Sequence, residues 1–454
     1  MWDSFQWGED DDGCMELAAS HLADDLTPRK PEKSKRPAFS DIHDWPASLG
    51  AKAARLLRIE EPDFTFPADT RAKATWLGHA GVLVQLPSLD SQVNRPVRCL
   101  FDPMFSARCS PSQFAGPIRS YPPPCKVEDL PPIDIVCISH NHFDHMDYDS
   151  IMSVWRHSQD SVRFFVPLGN KRWLLDWKIP ADRIVEMDWW NSAELTAPSP
   201  TSSTGTLRVH CTPAQHNSFR STGDADSDLW SSWYLEFLPA ASTTQTPYRV
   251  FFAGDTGYQF HPSPSWPPSP NNPTPENYTG KEDEKFPACP AFAEIRDRIG
   301  PPNLLLLPIS VGATFAYLRS FVPLPDWINP FPRHSAGVTG ANHMPPWDAV
   351  RVLKVMTERA DDQHIKDGKV GEGEGGGGGE GEEKEAPVAV AVAMHWGTFV
   401  TDPAEVLRTL GALEWACQKQ GVRFGRGLGK DGEARDGGRE PWFVAVDHGG
   451  SVCL

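Results

Sequence analysis

Apolar residues fall in short runs along this chain, rich in Val, Ile, Leu and Phe and bounded by Pro, Gly, Asp and Ser. Such runs predict β-strands near 73–86, 97–102, 133–139, 163–167, 206–212, 229–238, 248–253, 303–309, 387–394 and 441–447. Apolar positions spaced three and four apart predict helices near 148–157, 291–298, 346–359 and 403–420. This mixture gives the α/β class. Two sheets packed face to face with helices outside would bury both strand sets and leave their ends free to build a site. The pattern alone does not select that arrangement over other α/β folds.

The polar residues of most chemical interest stand where strand-like runs end. After Ile133–Ile138 comes SHNHFDHMD, which puts His140, His142, Asp144 and His145 within six residues. Two imidazoles at i and i+2 can converge on one cation, while Asp144 and His145 face a second beside it. Mixed nitrogen and carboxylate oxygen suits Zn²⁺. One cluster cannot fill two coordination spheres, so further ligands must come from elsewhere. His216 in TPAQH, Asp255 in FAGDTGY and His395 in AMHWGTF each follow a strand-like run and are the candidates. A lone histidine of this kind is more often a hydrogen-bonded structural residue; three such positions together with HNHFDH point to a binuclear metal site.

These residues, with WLGHAGVLVQ, the SPSQFAGPIRSYPPPC segment, EMDWW and LWSSW, resemble the phospholipase D family that hydrolyses N-acyl-phosphatidylethanolamine, a branch of the metallo-β-lactamase superfamily. The HNHFDH string specifies only the superfamily; the longer strings narrow it. The resemblance covers roughly Ala74 to the C-terminus, broken by insertions, and implies a four-layer αββα sandwich. It assigns His140, His142 and His216 to one zinc, Asp144, His145 and His395 to the other, and Asp255 to both. Asp102, in LFDP, becomes either a carboxylate orienting a ligand or simply the start of an Asp-Pro turn. His343, in ANHMPPW, becomes a proton donor or phosphate contact, or only a helix-entry residue. With Asp144, Asp255 and His343 as the catalytic set, the implied reaction is attack on a phosphodiester by hydroxide generated between two Zn²⁺ ions. The products would be an N-acylethanolamine and phosphatidic acid. The implied partners are a glycerophospholipid, a membrane touched peripherally and a second copy of the chain. The alternatives are a lactonase or esterase of the same fold acting on a soluble phosphorylated substrate, and a catalytically silent metal-binding scaffold.

Composition changes this picture at the edges. The 44 prolines and 36 glycines concentrate in segments that bury too little apolar surface to order a chain. An arm at 1–45 is expected to be disordered, and 46–454 to form one catalytic domain with disordered insertions near 199–205, 261–287, 367–385 and 425–440. The formal charge is −17. Residues 1–36 hold a net −4 and 367–385 a net −5, which leaves −8 on the remainder. An acidic body disfavours duplex nucleic acid, whose phosphates need Lys and Arg. The basic run 29–36 is either a contact for anionic headgroups or part of the disordered arm. The chain lacks a GxSxG elbow, which removes the usual serine-hydrolase reading. Nine scattered cysteines without a CxxC pair suit reduced thiols. No apolar run reaches the ~18 residues of a bilayer-spanning helix, and MWDSFQWGEDDDG lacks the marks of a secretory signal. The location expected is intracellular, either cytoplasmic or peripheral to a membrane. The 17 tryptophans, Trp189 and Trp190 among them, would either pave an acyl-chain groove or pack in the core.

Overall fold

The computed structural model describes residues 57–90, 93, 95–114, 116–197, 204–221, 223–240, 246–260, 286–309, 328, 342–358, 388–400, 403–427 and 440–454. The expected arm 1–45, with its basic run, and the tract 367–385 lie outside the described residues. So do 199–203, 261–285 and 428–439 of the other expected insertions. Thr204 is described, and it pairs across an isolated bridge with Asp90.

One sheet has seven strands: β1 (Lys73–Gly78), β2 (Gly81–Leu86), β3 (Val97–Phe101), β4 (Ile135–Cys137), β5 (Arg163–Pro167), β6 (Ile184–Met187) and β15 (Ser451–Cys453), in the order β15-β1-β2-β3-β4-β5-β6. The second has eight: β7 (Ser192–Thr196), β8 (Thr206–Thr212), β9 (Ser232–Leu238), β10 (Tyr248–Phe252), β11 (Leu304–Pro308), β12 (Val390–Met394), β13 (Arg423–Gly425) and β14 (Trp442–Val444), in the order β13-β14-β12-β11-β10-β9-β8-β7. The helices are α1 (Tyr148–Ser158), α2 (Lys171–Asp176), α3 (Ala291–Ile299), α4 (Pro346–Thr357) and α5 (Pro403–Gln420).

Alternation along the strands sorts the side chains into layers. Ala74, Trp76, Cys99, Phe101, Cys137 and Phe165 of the first sheet pack against Val209, Trp233, Val250 and Phe252 of the second. The opposite face of the first sheet, with Leu83, Leu100, Val136 and Phe164, is covered by Ile151 and Val154 of α1 and Leu174 of α2. On the outer side of the second sheet lie Ile295, Val350, Leu353, Leu413 and Cys417 of α3, α4 and α5. Helices, two sheets and helices thus stack as the expected αββα sandwich. Their central strands are buried on both faces, which is why they read as unbroken apolar runs.

Two details differ from expectation. The run 73–86 is a hairpin, β1 and β2, folded at Gly78-His79-Ala80-Gly81. Strands β6, β7, β13 and β15, along with the short helix α2, were not foreseen. Strands β3, β4, β5 and β6 run parallel, as do β10, β11, β12 and β14. Their carboxyl ends, where ligands of α/β sheets are usually bound, gather on one edge of the sandwich. None of the helices among the described residues is long and apolar enough to cross a membrane.

Candidate metal centre

Asp102 follows β3, His140–His145 follow β4, His216 follows β8, Asp255 follows β10 and His395 follows β12. Both sheets therefore contribute, and the structure brings all seven expected ligands together. His140 Nε2 lies 2.8 Å from His142 Nδ1, and His216 Nε2 lies 3.1 Å from the former and 3.3 Å from the latter. Beside this trio, His145 Nε2 is 3.0 Å from Asp255 Oδ2 and 3.6 Å from Asp144 Oδ2, and His395 Nε2 is 3.1 Å from Asp255 Oδ1. Asp255 stands between the groups, since its Oδ2 is also 3.9 Å from His216 Nε2.

His216 stands near the ligand-to-ligand distance of a metal site from its two partners, while the His140–His142 pair is tighter. A tetrahedral site with Zn–N arms of about 2.0–2.1 Å has N···N edges of about 3.3–3.4 Å. The polar atoms fit as well: His145 Nε2 faces Asp255 Oδ2 at 3.0 Å and His395 Nε2 faces Asp255 Oδ1 at 3.1 Å, yet His145 Nε2, Asp255 Oδ1 and His395 Nε2 are buried without making hydrogen bonds, and His395 Nδ1 makes none either; buried polar atoms seldom stay so.

The hydrogen bonds behind the ligands fix which nitrogen carries a proton. Asp102 is fully buried and accepts from the Ser139 backbone N–H at 2.7 Å, from Ser139 Oγ at 2.5 Å and from His145 Nδ1 at 2.7 Å. With Nδ1–H donated to Asp102, His145 presents its Nε2 edge to Asp255, and that nitrogen ligates once it has lost its proton. The single hydroxyl proton of Ser139 goes to Asp102, so His140 Nδ1–H must donate to Ser139 Oγ, 2.8 Å away, and its Nε2 is left free to ligate. His216 Nδ1 meets the Asn342 carbonyl at 2.9 Å and is placed the same way. The reading of Asp102 as only a turn-starting residue does not describe these contacts.

The loop carrying HNHFDH is held along its length. Asp147 caps α1 by accepting from the Ser150 N–H at 3.1 Å and also takes the Ser106 hydroxyl at 2.6 Å. Arg220 Nη1 donates to the carbonyls of Asn141 and Met146, 2.8 Å each, with its guanidinium over Phe143, Trp173 and Trp177. Buried Asp228 accepts from Asn141 Nδ2 at 2.9 Å, Arg172 Nη2 at 3.0 Å and Trp173 Nε1 at 2.9 Å. Asn141, Arg220 and Asp228 were not anticipated, because nothing in their local sequence marks residues that brace a loop from a distance. Gly254, at φ 61, passes so near Ser139 that a Cβ would meet that residue's Cβ at 2.6 Å.

His79 was also missed. It sits in the β1–β2 turn, with Nε2 2.9 Å from Asp144 Oδ2 and its ring 4.2 Å from that of His395. The available signal was a histidine flanked by Gly78 and Gly81 inside an otherwise apolar run. His343, ahead of α4, does reach the site: its Nδ1 is 3.7 Å from Asp255 Oδ2, and its ring lies 5.2 Å from those of His216 and His395. His142, Asp144 and His343 are partly exposed while the other residues of the cluster are buried, so solvent meets the centre on their side.

Burial drives the imidazoles of His140 and His216 well below their ordinary range and brings His343 to about 4. Burial alone would lower His145 too, but Asp255, Asp144 and Asp102 hold it well above. Burial would likewise raise Asp255, whereas His145, His395 and His343 hold it well below. Neutral imidazoles and ionised carboxylates are the forms that bind metals; the carboxylates around His145 favour its protonated form, so that ring must release a proton before it ligates.

Residues 97–262 match the beta-lactamase superfamily domain, and the sandwich and its edge cluster have the architecture described above. The matched segment carries the HNHFDH string, His216 and Asp255, so this part of the chain is similar to the beta-lactamase superfamily domain. It is 36% identical over 196 residues to N-acyl-phosphatidylethanolamine-hydrolyzing phospholipase D 1 of Caenorhabditis elegans, 42% of this chain and 49% of that protein. It is 32% identical over 184 residues to the mitochondrial N-acyl-phosphatidylethanolamine-hydrolyzing phospholipase D of Saccharomyces cerevisiae, 40% and 34% of the two. An uncharacterised Mycobacterium tuberculosis protein is 36% identical over 208 residues, 46% and 48%. The chain thus spans about half the length, or less, of these curated relatives. Among solved structures, the diiron β-hydroxylase CmlA of Streptomyces venezuelae aligns at a TM-score of 0.42 with 16% identity, over 86% of this chain and 55% of that one; so loose a likeness carries no argument. The matched superfamily domain ends before His343 and His395, which reach the centre from beyond it.

Proposed function

We propose that this chain is a zinc-dependent phosphodiesterase that cleaves N-acyl-phosphatidylethanolamine into an N-acylethanolamine and phosphatidic acid. The observation that carries the reading is the convergence of seven ligand side chains on the carboxyl edge of both sheets, in a chain whose named relatives hydrolyse that lipid. His140, His142 and His216 would hold one zinc, Asp144, His145 and His395 the other, and Asp255 would serve both. The ligands span 140–395, which supports 46–454 as one catalytic domain.

Bound zinc supplies a Lewis acid and an activated water at neutral pH. The chain supplies the rest. Asp102 and Ser139 hold His145 and His140 in the tautomers that ligate. His343, neutral at pH 7 because burial lowers it to about 4, offers a ring N–H to a phosphate oxygen or the departing alkoxide. Leu168 directly after β5, Tyr148 at the start of α1, Leu175 in α2 and Phe219 in the segment after β8 are exposed large side chains that suit an acylated substrate drawn from a membrane surface.

Zinc-loaded protein incubated with N-acyl-phosphatidylethanolamine in ¹⁸O-water tests this. Release of N-acylethanolamine with the heavy oxygen in phosphatidic acid is expected, because water then enters at phosphorus. Two zincs bound and no turnover would overturn the lipid assignment while leaving the metal centre standing.

A further inference from the structure

His79 is not among the seven ligands, yet it is buried among them. Its Nε2 lies 2.9 Å from Asp144 Oδ2, and its ring packs against His395 at 4.2 Å, Phe399 edge-on at 4.9 Å and His145 at 5.3 Å. The main chain at His79 is tied just as closely. Its N–H donates to Thr398 Oγ1 at 2.6 Å, and its carbonyl accepts from the His395 N–H at 2.9 Å and Trp76 Nε1 at 2.7 Å. His79 thus grips the segment bearing His395 through its backbone and Asp144 through its ring.

The turn makes this grip at a conformational cost. His79 has φ 51 and Gly78 before it φ 97, and a left-handed backbone is unfavourable for a residue with a Cβ. Such strain persists where the surroundings over-determine it, which is typical of functional sites. Asp144 is partly exposed, and His79 fixes its Oδ2 by a hydrogen bond. Without that bond the carboxylate can rotate away from His145 and His395.

We infer that His79 is a positioning residue that sets the affinity of the metal site formed by Asp144, His145 and His395 and leaves the His140, His142 and His216 site unaffected. This rests on the metal-centre reading above and says which residue controls loading of its second half. The ring acts as an N–H donor to Asp144 and not as a ligand, so a side chain that keeps a donor at the same reach should replace it.

The test is zinc titration of stripped, refilled full-length protein against a chromophoric chelator, for wild type, His79→Leu and His79→Gln, with near-ultraviolet circular dichroism verifying the fold. Wild type should bind two zincs. His79→Leu should keep one tight site and weaken the other by about ten- to hundredfold, the usual cost of losing a group that orients a metal ligand. His79→Gln should recover most of that loss. Two zincs bound by His79→Leu at wild-type affinity would overturn the inference. So would equal loss in Leu and Gln variants, because an amide replaces neither a ligand nor a purely structural ring. Fewer than two zincs in wild type would overturn the metal-centre reading itself, and the inference with it.

Discussion

At the scale of single residues, the centre is built from side chains whose backbones are unusual. Asp102, His79 and His395 have φ of 37, 51 and 58, each at a strand end where the chain leaves the sheet and turns a polar group back over its edge. Asp102 decides the most. It receives His145 Nδ1–H and the Ser139 hydroxyl, and through Ser139 it also sets His140. Asp102→Asn keeps the shape and turns an acceptor pair into an acceptor and a donor. It should weaken zinc binding by about ten- to hundredfold with little change in fold, as read by chelator competition. Asp255→Asn removes the carboxylate that faces both ligand groups; metal content should fall below two per chain and turnover by at least about a hundredfold, measured on the same preparation. The ligands themselves were legible because HNHFDH is compact and His216, Asp255 and His395 repeat one situation, a polar residue after an apolar strand. His79, Asn141, Arg220 and Asp228 were not, since each acts across the fold on a residue distant in sequence.

At the scale of elements, legibility follows burial. Strands β1, β2, β10, β11 and β12 are covered on both faces and announce themselves as apolar runs. Edge strand β7 (SAELT) alternates exposed and half-buried positions, and β6 has two half-buried positions of four, so neither produces such a run. The hairpin at His79 was hidden for the opposite reason, because both its flanking strands are buried throughout and mostly apolar. Helix α5 carries an acid that can be tested. Burial lifts Glu414 to about 7 from an ordinary value of 4.5. The folded state therefore binds this proton more tightly than the unfolded chain, and stability should fall as pH rises from about 4.5 through 7. Glu414→Gln should flatten that part of the profile and leave the variant the more stable of the two at pH 8. Denaturant melts across the window check this; identical wild-type and variant profiles would contradict it.

At the scale of the whole molecule, the centre is where the two sheets are joined by chemistry as well as by packing. His140, His142, Asp144 and His145 extend from the first sheet, and His216, Asp255 and His395 from the second. Ions held between them would stabilise the folded form by mass action, because the unfolded chain does not present the ligands together. Removing metal with a chelator should lower the melting temperature by several degrees, on the order of 1 °C for each kcal/mol lost in a domain of about 400 residues, and adding zinc back should restore it.

The measurement that meets the central claim most directly is anomalous X-ray diffraction from crystals of the zinc-loaded protein, recorded on either side of the zinc edge. Two peaks are expected about 3.5–4 Å apart, one among His140, His142 and His216 and one among Asp144, His145 and His395, with Asp255 reaching both. A single peak, or peaks lying away from these residues, would contradict the account.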